Sequence, residues 1–219
     1  MTGTFQDRTE AGRLLATKLT GYAGQEGVIV LALPRGGVPV GYEVARALGA
    51  PLDLLIVRKL GVPGREELAM GAIASGGVRV VNEEVVQALG ISEDVLEQVA
   101  QREAGELQRR DRAYRGDRPH PDLRGRTVIL VDDGLATGST MRAAVAAVRA
   151  QNPRRVIVAV PTAAPSIAEE FRSIADDCVC VSTPEPFYAV GLWYEDFSQT
   201  TDDEVRDLLA RAAEERAAS

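Results

Sequence analysis

The sequence predicts an α/β fold: an open, mainly parallel five-stranded sheet flanked by helices. Short apolar runs at Val28 to Leu33, Leu52 to Val57, Val128 to Val131, Val156 to Val160 and Cys178 to Val181 have the length and continuous apolarity of strands buried on both faces. Between them, Val38 to Leu48, Thr140 to Ala150 and Ser166 to Ile174 carry helix-compatible spacing, which gives the alternation of a parallel sheet. A chain of 219 residues with 45% hydrophobic content can bury one substantial core, and nothing in its composition marks a second compact unit. Residues 1-219 are therefore read as a single domain with embellishments.

The segment before the first strand, Asp7 to Leu19, reads as a packed outer helix. Asp7 with Glu10 three residues later is a variant of the capping pattern, and Ala11, Leu14, Leu15 and Leu19 fall on one face. An insertion occupies about 61-126. It contains a short strand at Val78 to Val81 and a helix from about Ser92 to Tyr114. Its charge is uneven: Glu83, Glu84, Glu93, Asp94 and Glu97 come first, and Arg102, Arg109, Arg110, Arg112, Arg115 and Arg118 follow. This describes either a solvated helix of mixed charge or a mobile arm bringing arginines to a polyphosphate. Glu66 and Glu67 beside Arg65 read as a helix start, or as a carboxylate for the site. His120, between Pro119 and Pro121, suggests an exposed linker, and Asp202 to Ser219 a surface helix that frays.

Several functions are disfavoured. A net charge of -7 opposes broad attraction to nucleic acid. The start, Met1 to Asp7, lacks a basic segment followed by an apolar run, and no stretch approaches the roughly 18 apolar residues of a membrane span. A soluble, cytoplasmic protein is expected. The two cysteines, Cys178 and Cys180, are expected to pack in the core; read as pointing to opposite faces of a strand, they would not form a mutual disulfide. With His120 alone they make a poor zinc set.

Open α/β sheets bind ligands beyond the carboxyl ends of their strands. Asp132 and Asp133 stand at such an end, and Gly134 to Thr140 turns into the next helix. Gly138 lets the backbone approach a ligand, amides at the helix start point outward, and Thr137, Ser139 and Thr140 add hydroxyl donors, so an anion is well satisfied here. Two carboxylates beside an anion are unfavourable unless they serve a polyol or a cation, which suggests ribose hydroxyls and magnesium. An ordinary capped turn explains the glycine and hydroxyls but not the paired aspartates.

The thirteen residues Val128 to Thr140 resemble the signature of the type I phosphoribosyltransferases: an apolar strand, two acidic residues, and a threonine-glycine turn ending in threonine. By that resemblance Asp132 and Asp133 bind the ribose hydroxyls of 5-phosphoribosyl-1-pyrophosphate (PRPP), touching Mg2+ through ribose or water. Ala136, Thr137, Gly138, Ser139 and Thr140 cradle its 5-phosphate. Pro34-Arg35-Gly36-Gly37 looks like the family's pyrophosphate loop, which implies a cis Pro34–Arg35 peptide that turns an amide toward pyrophosphate, with Gly36 and Gly37 permitting close backbone approach. Arg58-Lys59 is similar to a basic pair of adenine and orotate enzymes, making Arg35, Arg58 and Lys59 the catalytic candidates. Tyr188 to Glu195 resembles the hood of the 6-oxopurine enzymes, at about 183-200 here, with Tyr188 stacking on the base and Glu195 reading its edge.

The sequence also departs from the family. Ala136 stands where the oxopurine enzymes carry a proton-handling aspartate, the Leu-Ala-Thr-Gly form is close to the adenine enzymes, and the insertion fits neither. The resemblance implies phosphoribosyl transfer from PRPP to a small nitrogen heterocycle, in a chain that a homodimer would also suit. The alternative is a regulator that keeps the pocket as a PRPP or nucleotide sensor.

Overall fold

The computed structural model describes residues 3–116 and 118–218. In chain order the elements are α1 (Arg8–Lys18), β1 (Val28–Ala32), α2 (Gly37–Leu48), β2 (Leu52–Leu54), β3 (Val57–Val62), β4 (Arg65–Ala74), β5 (Val78–Val81), α3 (Glu83–Leu89) and α4 (Glu93–Arg115). There follow β6 (Thr127–Val131), α5 (Ser139–Arg149), β7 (Arg155–Thr162), α6 (Pro165–Ile174), β8 (Asp177–Ser182) and α7 (Asp202–Ala217).

The expected parallel sheet is present, in the order β2-β1-β6-β7-β8. Its strands read as continuous apolar runs because both faces are covered. On β1 and β6, Ile29, Leu31, Val128 and Leu130 join a core with Met141 and Val145 of α5 and Phe171 of α6. The alternate residues Val28, Val30, Ile129 and Val131 pack instead with Leu15 of α1 and Val40 and Val44 of α2. The first helix begins where predicted, with Asp7 accepting from the Glu10 amide at 2.8 Å. Its buried stripe runs through Ala11, Leu15 and Leu19, while Leu14, expected on that face, is 41% exposed.

The run Leu52 to Val57 is not one strand. β2 stops at Leu54, and Val57 opens a second, antiparallel sheet of order β3-β4-β5. Between them Leu55 and Ile56 stay buried, and Ile56 keeps both backbone groups bonded to Ser75, its amide to Oγ and its carbonyl to the Ser75 amide. The chain changes sheets without losing burial or hydrogen bonds, so the apolar pattern shows no break. Glu66 and Glu67 lie on β4 rather than at a helix start, because β4 finds a partner in β3.

The arginine-bearing helix α4 packs through Leu96, Val99, Leu107 and Tyr114 against the second sheet and α7. Several of its arginines lie at the surface in short-range pairs, Arg109 and Arg110 with Glu106 and Arg102 with Glu103, and Arg118, just beyond the helix, donates to main-chain carbonyls. Arg115 is buried, bonding Asp53 at 2.6 Å, the Leu54 carbonyl at 3.1 Å and Asp111 at 3.3 Å. The packing is that of a structural helix, not an arm reaching out to a polyphosphate. His120 is exposed, as expected of a linker, yet its Nε2 lies 3.1 Å from Asp111.

The cysteines require a correction. Residues two apart on a strand share a face, and the Sγ atoms of Cys178 and Cys180 lie 4.0 Å apart, unbonded. No helix among the described residues is long and apolar enough to cross a membrane.

Arg115 ties α4 to the end of β2, so its removal leaves Asp53 without its partner. Arg115→Met is expected to lower the unfolding free energy by about 3 kcal/mol in urea titration; an unchanged midpoint would show that the pair contributes nothing.

Candidate functional site

The loops after β1 and β6 meet at the carboxyl edge of the sheet. Their approach requires glycine: a Cβ at Gly37 would lie 2.7 Å from the Val131 carbonyl and 2.9 Å from Asp132 Cα, and one at Gly36 would collide with Asp133 Oδ2. The Pro34–Arg35 peptide in this loop is cis. Both following helices start at glycines and have no side-chain cap: α2 after Gly36, and α5 after Gly138, whose φ is 69°. At α5 this leaves outward amides beside Thr137, Ser139 and Thr140, a ready anion site. The loop is pinned from beneath, since buried Leu135 donates to the Thr162 carbonyl at 2.9 Å and accepts from the Ala164 amide at 3.0 Å. Ala136, Thr137 and Thr140 are thereby left exposed.

Asp132 and Asp133 are half-buried, and the Asp133 amide donates to Asp132 Oδ1 at 2.9 Å. Burial pushes the Asp132 carboxyl well above the usual range, and the charge on Asp133 adds to the effect. Asp133 is also raised by burial, against the opposing pull of Arg8. Arg8 Nε donates to Asp133 Oδ2 at 2.9 Å, and Nη2 pairs with the same oxygen at 2.9 Å. From above, the Tyr194 hydroxyl donates to the Asp133 carbonyl at 2.6 Å, and burial raises the pKa of that phenol.

Neither Arg8 nor Tyr194 was picked out from sequence. The available signal for Arg8 was its place in the first turn of α1, where a cation opposes the helix dipole. Tyr194 lies inside the stretch singled out, next to Glu195, but nothing in a linear pattern distinguishes it from Tyr188.

The basic candidates arrive separately. Lys59, on β3, places Nζ 3.5 Å from Ser139 Oγ and 3.8 Å from Glu67. Neighbouring Arg58 is engaged by Glu103 of α4 at 2.9 and 2.6 Å, and both line a cavity of about 320 Å³ that reaches Thr140. Arg35 lies 3.4 Å from Asp202 at the start of α7, which also accepts from the Tyr114 hydroxyl at 2.7 Å. The fold thus gathers Gly36, Gly37, Asp132, Asp133, Ser139 and Lys59.

In the C-terminal loop, Tyr188 is 78% exposed, and Glu195 is exposed with Thr4 Oγ1 3.5 Å away. Besides Tyr194, contact to the acidic loop is made by Val190, against which a Cβ at Gly134 would press at 2.5 Å. Among the described residues no group of three or more His, Cys, Asp or Glu could hold a metal ion. The residues that could meet such an ion are Asp132 and Asp133, two carboxylates that would need phosphate oxygens and water to complete a Mg2+ shell.

Comparison with known proteins bears on the family and the fold. The family model described as phosphoribosyl transferase domain matches residues 5–194. A Mycobacterium tuberculosis protein, provisionally named a phosphoribosyl transferase, is 48% identical over 208 residues, covering 95% of this chain and 47% of that protein. The chain thus spans about half the length of the curated relatives it matches. The crystal structure of TT1426 from Thermus thermophilus is similar at 44% identity and a TM-score of 0.87, covering 95% of this chain and 98% of that one. The AQ2163 protein from Aquifex aeolicus shares the fold at 13% identity and a TM-score of 0.51, covering 92% and 84%.

The aspartate pair should be a stability cost in the empty protein. With its pKa raised above 3.8 by burial and by the charge on Asp133, Asp132 binds its proton more tightly in the folded chain than in the unfolded one. The penalty is absent below pH 3.8 and grows as pH rises through the folded value. Asp132→Asn is expected to raise the melting temperature at pH 7 by about 3 °C, roughly 1 kcal/mol, with the gain vanishing towards pH 3.8. A lower melting temperature at pH 7 would make the pair structural.

Proposed function

This chain belongs to the phosphoribosyltransferase family, and we propose that it transfers 5-phosphoribose from PRPP to a ring nitrogen of a small aromatic heterocycle, releasing pyrophosphate. The observation that carries this reading is the meeting of Asp132 and Asp133, the uncapped start of α5, and Lys59 at 3.5 Å from Ser139. In this assignment the aspartates accept from the ribose 2- and 3-hydroxyls. The amides and hydroxyls of Ala136 to Thr140 take the 5-phosphate. Gly36 and Gly37 let the loop backbone come close to pyrophosphate, the Gly37 amide itself being donated to the Leu33 carbonyl at 3.1 Å.

The bond that breaks joins ribose C1 to the pyrophosphate oxygen, and the bond that forms joins C1 to the incoming nitrogen, with inversion, the proton of that nitrogen passing to water or to the released pyrophosphate. Positive charge builds on the ribose ring while negative charge builds on the leaving group. Lys59, Arg35 and Arg58 would stabilise the latter, the two arginines exchanging Asp202 and Glu103 for phosphate oxygens. Mg2+ bound with PRPP would neutralise pyrophosphate, meeting Asp132 and Asp133 through ribose or water. Tyr188 offers an exposed ring for stacking on the base, and Glu195 a carboxylate for its edge. Ala136 brings no acid or base, so hypoxanthine and guanine are poor acceptors on this reading. The reaction belongs in the cytoplasm.

Ala136 also favours a second reading, a PRPP- or nucleotide-sensing regulator without turnover. Base-dependent pyrophosphate release from Mg2+ and PRPP separates the two: release with any of adenine, hypoxanthine, guanine, orotate or uracil supports the enzyme, and binding of PRPP without release supports the sensor.

Two variants test the assignments. Asp132→Asn combined with Asp133→Asn is expected to weaken PRPP binding about 100-fold or more in calorimetric titration, through loss of charge-assisted hydrogen bonds, while the protein remains folded. Unchanged affinity would remove the ribose role. Tyr188→Ala is expected to raise the KM for the base by about 2- to 10-fold, the value of one stacked ring. An unchanged KM, or efficient use of hypoxanthine or guanine by wild type, would refute the corresponding assignment.

A further inference from the structure

The N-terminal segment is built into the site. Phe5 donates to the Trp193 carbonyl and accepts from the Glu195 amide, each at 2.8 Å, and Asp196 donates to the Gln6 carbonyl at 2.9 Å. This short ladder delivers Arg8 to the junction of the acidic loop and the C-terminal hood. There its guanidinium makes three kinds of contact at once. Nε and Nη2 clasp Asp133 Oδ2, Nη1 donates to the Ser198 carbonyl at 2.6 Å, and the plane sits 4.0 Å from the Phe197 ring centroid. Asp133 Oδ2 is further boxed by Gly36, where even a Cβ would collide with it. One carboxylate oxygen is thus occupied from two sides, leaving Oδ1 to accept from a ribose hydroxyl.

We propose that Arg8 is a positioning residue, which orients the Asp133 carboxylate for ribose and couples occupancy of the ribose site to the hood at 187–198. The inference rests on the ribose role assigned to the aspartates above. A ligand that pulls Asp133 shifts the partner of Arg8, and with it the Ser198 and Phe197 contacts that hold the hood. The only physical link this requires is one planar cation shared between the two elements. Arginine suits it because its fork and its face are used together, which an ammonium cannot reproduce.

The test compares wild type, Arg8→Lys and Arg8→Met in titrations with Mg2+ and either PRPP or pyrophosphate, followed by hydrogen exchange of 187–198. Arg8→Met is expected to weaken PRPP binding about tenfold, as loss of a charge-assisted pair implies, and to leave pyrophosphate binding within about twofold. KM for PRPP should rise with little change in kcat, Arg8→Lys should recover part of the affinity, and the response of hood exchange to PRPP should disappear in Arg8→Met. If wild type binds PRPP but either variant loses PRPP and pyrophosphate affinity by the same factor, or neither variant differs from wild type, the Arg8 inference is overturned alone. If wild type binds no PRPP, the ribose assignment falls and takes the inference with it.

Discussion

Two like charges held side by side in partial burial form the constraint to which the rest of this site responds. Asp132 and Asp133 follow β6, a strand covered on both faces, so their carboxyls cannot escape far into water. Burial opposes ionisation of both, and the charge on Asp133 adds to the effect at Asp132. The surroundings answer at three points: Arg8 supplies positive charge to Asp133, the Asp133 amide bonds Asp132, and Tyr194 fixes the intervening backbone. These contacts make the pair tolerable without neutralising it. What remains is an arrangement better matched to a polyol and a cation than to an empty cleft.

Steric demands reinforce the electrostatic ones. The loop after β1 can touch the acidic loop only because Gly36 and Gly37 lack side chains, and the start of α5 can pack on Phe171 only because Gly138 does. Close approach therefore brings backbone amides, rather than side chains, to the sheet edge. Such donors belong to the fold and lose no rotamer entropy when an anion arrives.

The second sheet has a corresponding part in the architecture. By breaking away from β2 at Leu54, the chain lays Lys59 beside Ser139 from a different layer, and α4 then packs across that sheet and sets Glu103 against Arg58. The insertion, which sequence describes as a solvated helix of mixed charge or an arginine-bearing arm, is thus a scaffold. Arg115, which sequence places among a row of exposed cations, is its buried tie to Asp53.

How much was legible in the sequence depended on the range of the interaction. The parallel sheet, its flanking helices and the Asp132 to Thr140 loop were readable because apolar periodicity, glycine at a turn and a cap such as Asp7 are decided by neighbours in the chain. The cis bond at Pro34–Arg35 and the phosphoribosyltransferase kinship came from resemblance of motifs, and the family match over residues 5–194 supports that kinship. The split at Leu54, the strand at Glu66 and Glu67, and the shared face of Cys178 and Cys180 were missed or misread. The first two turn on the antiparallel hairpin of β3 with its neighbour β4, which neither a continuous apolar run nor an acidic pair reveals, while the third followed from the strand period itself and needed only its correct use. By itself the sequence determined the layered α/β fold and the chemistry available at one strand end. Tertiary structure alone decided that Arg8, 125 residues away from Asp133, closes the charge on it, because the partner of a buried carboxylate is selected by proximity in space and leaves no fixed spacing in the chain.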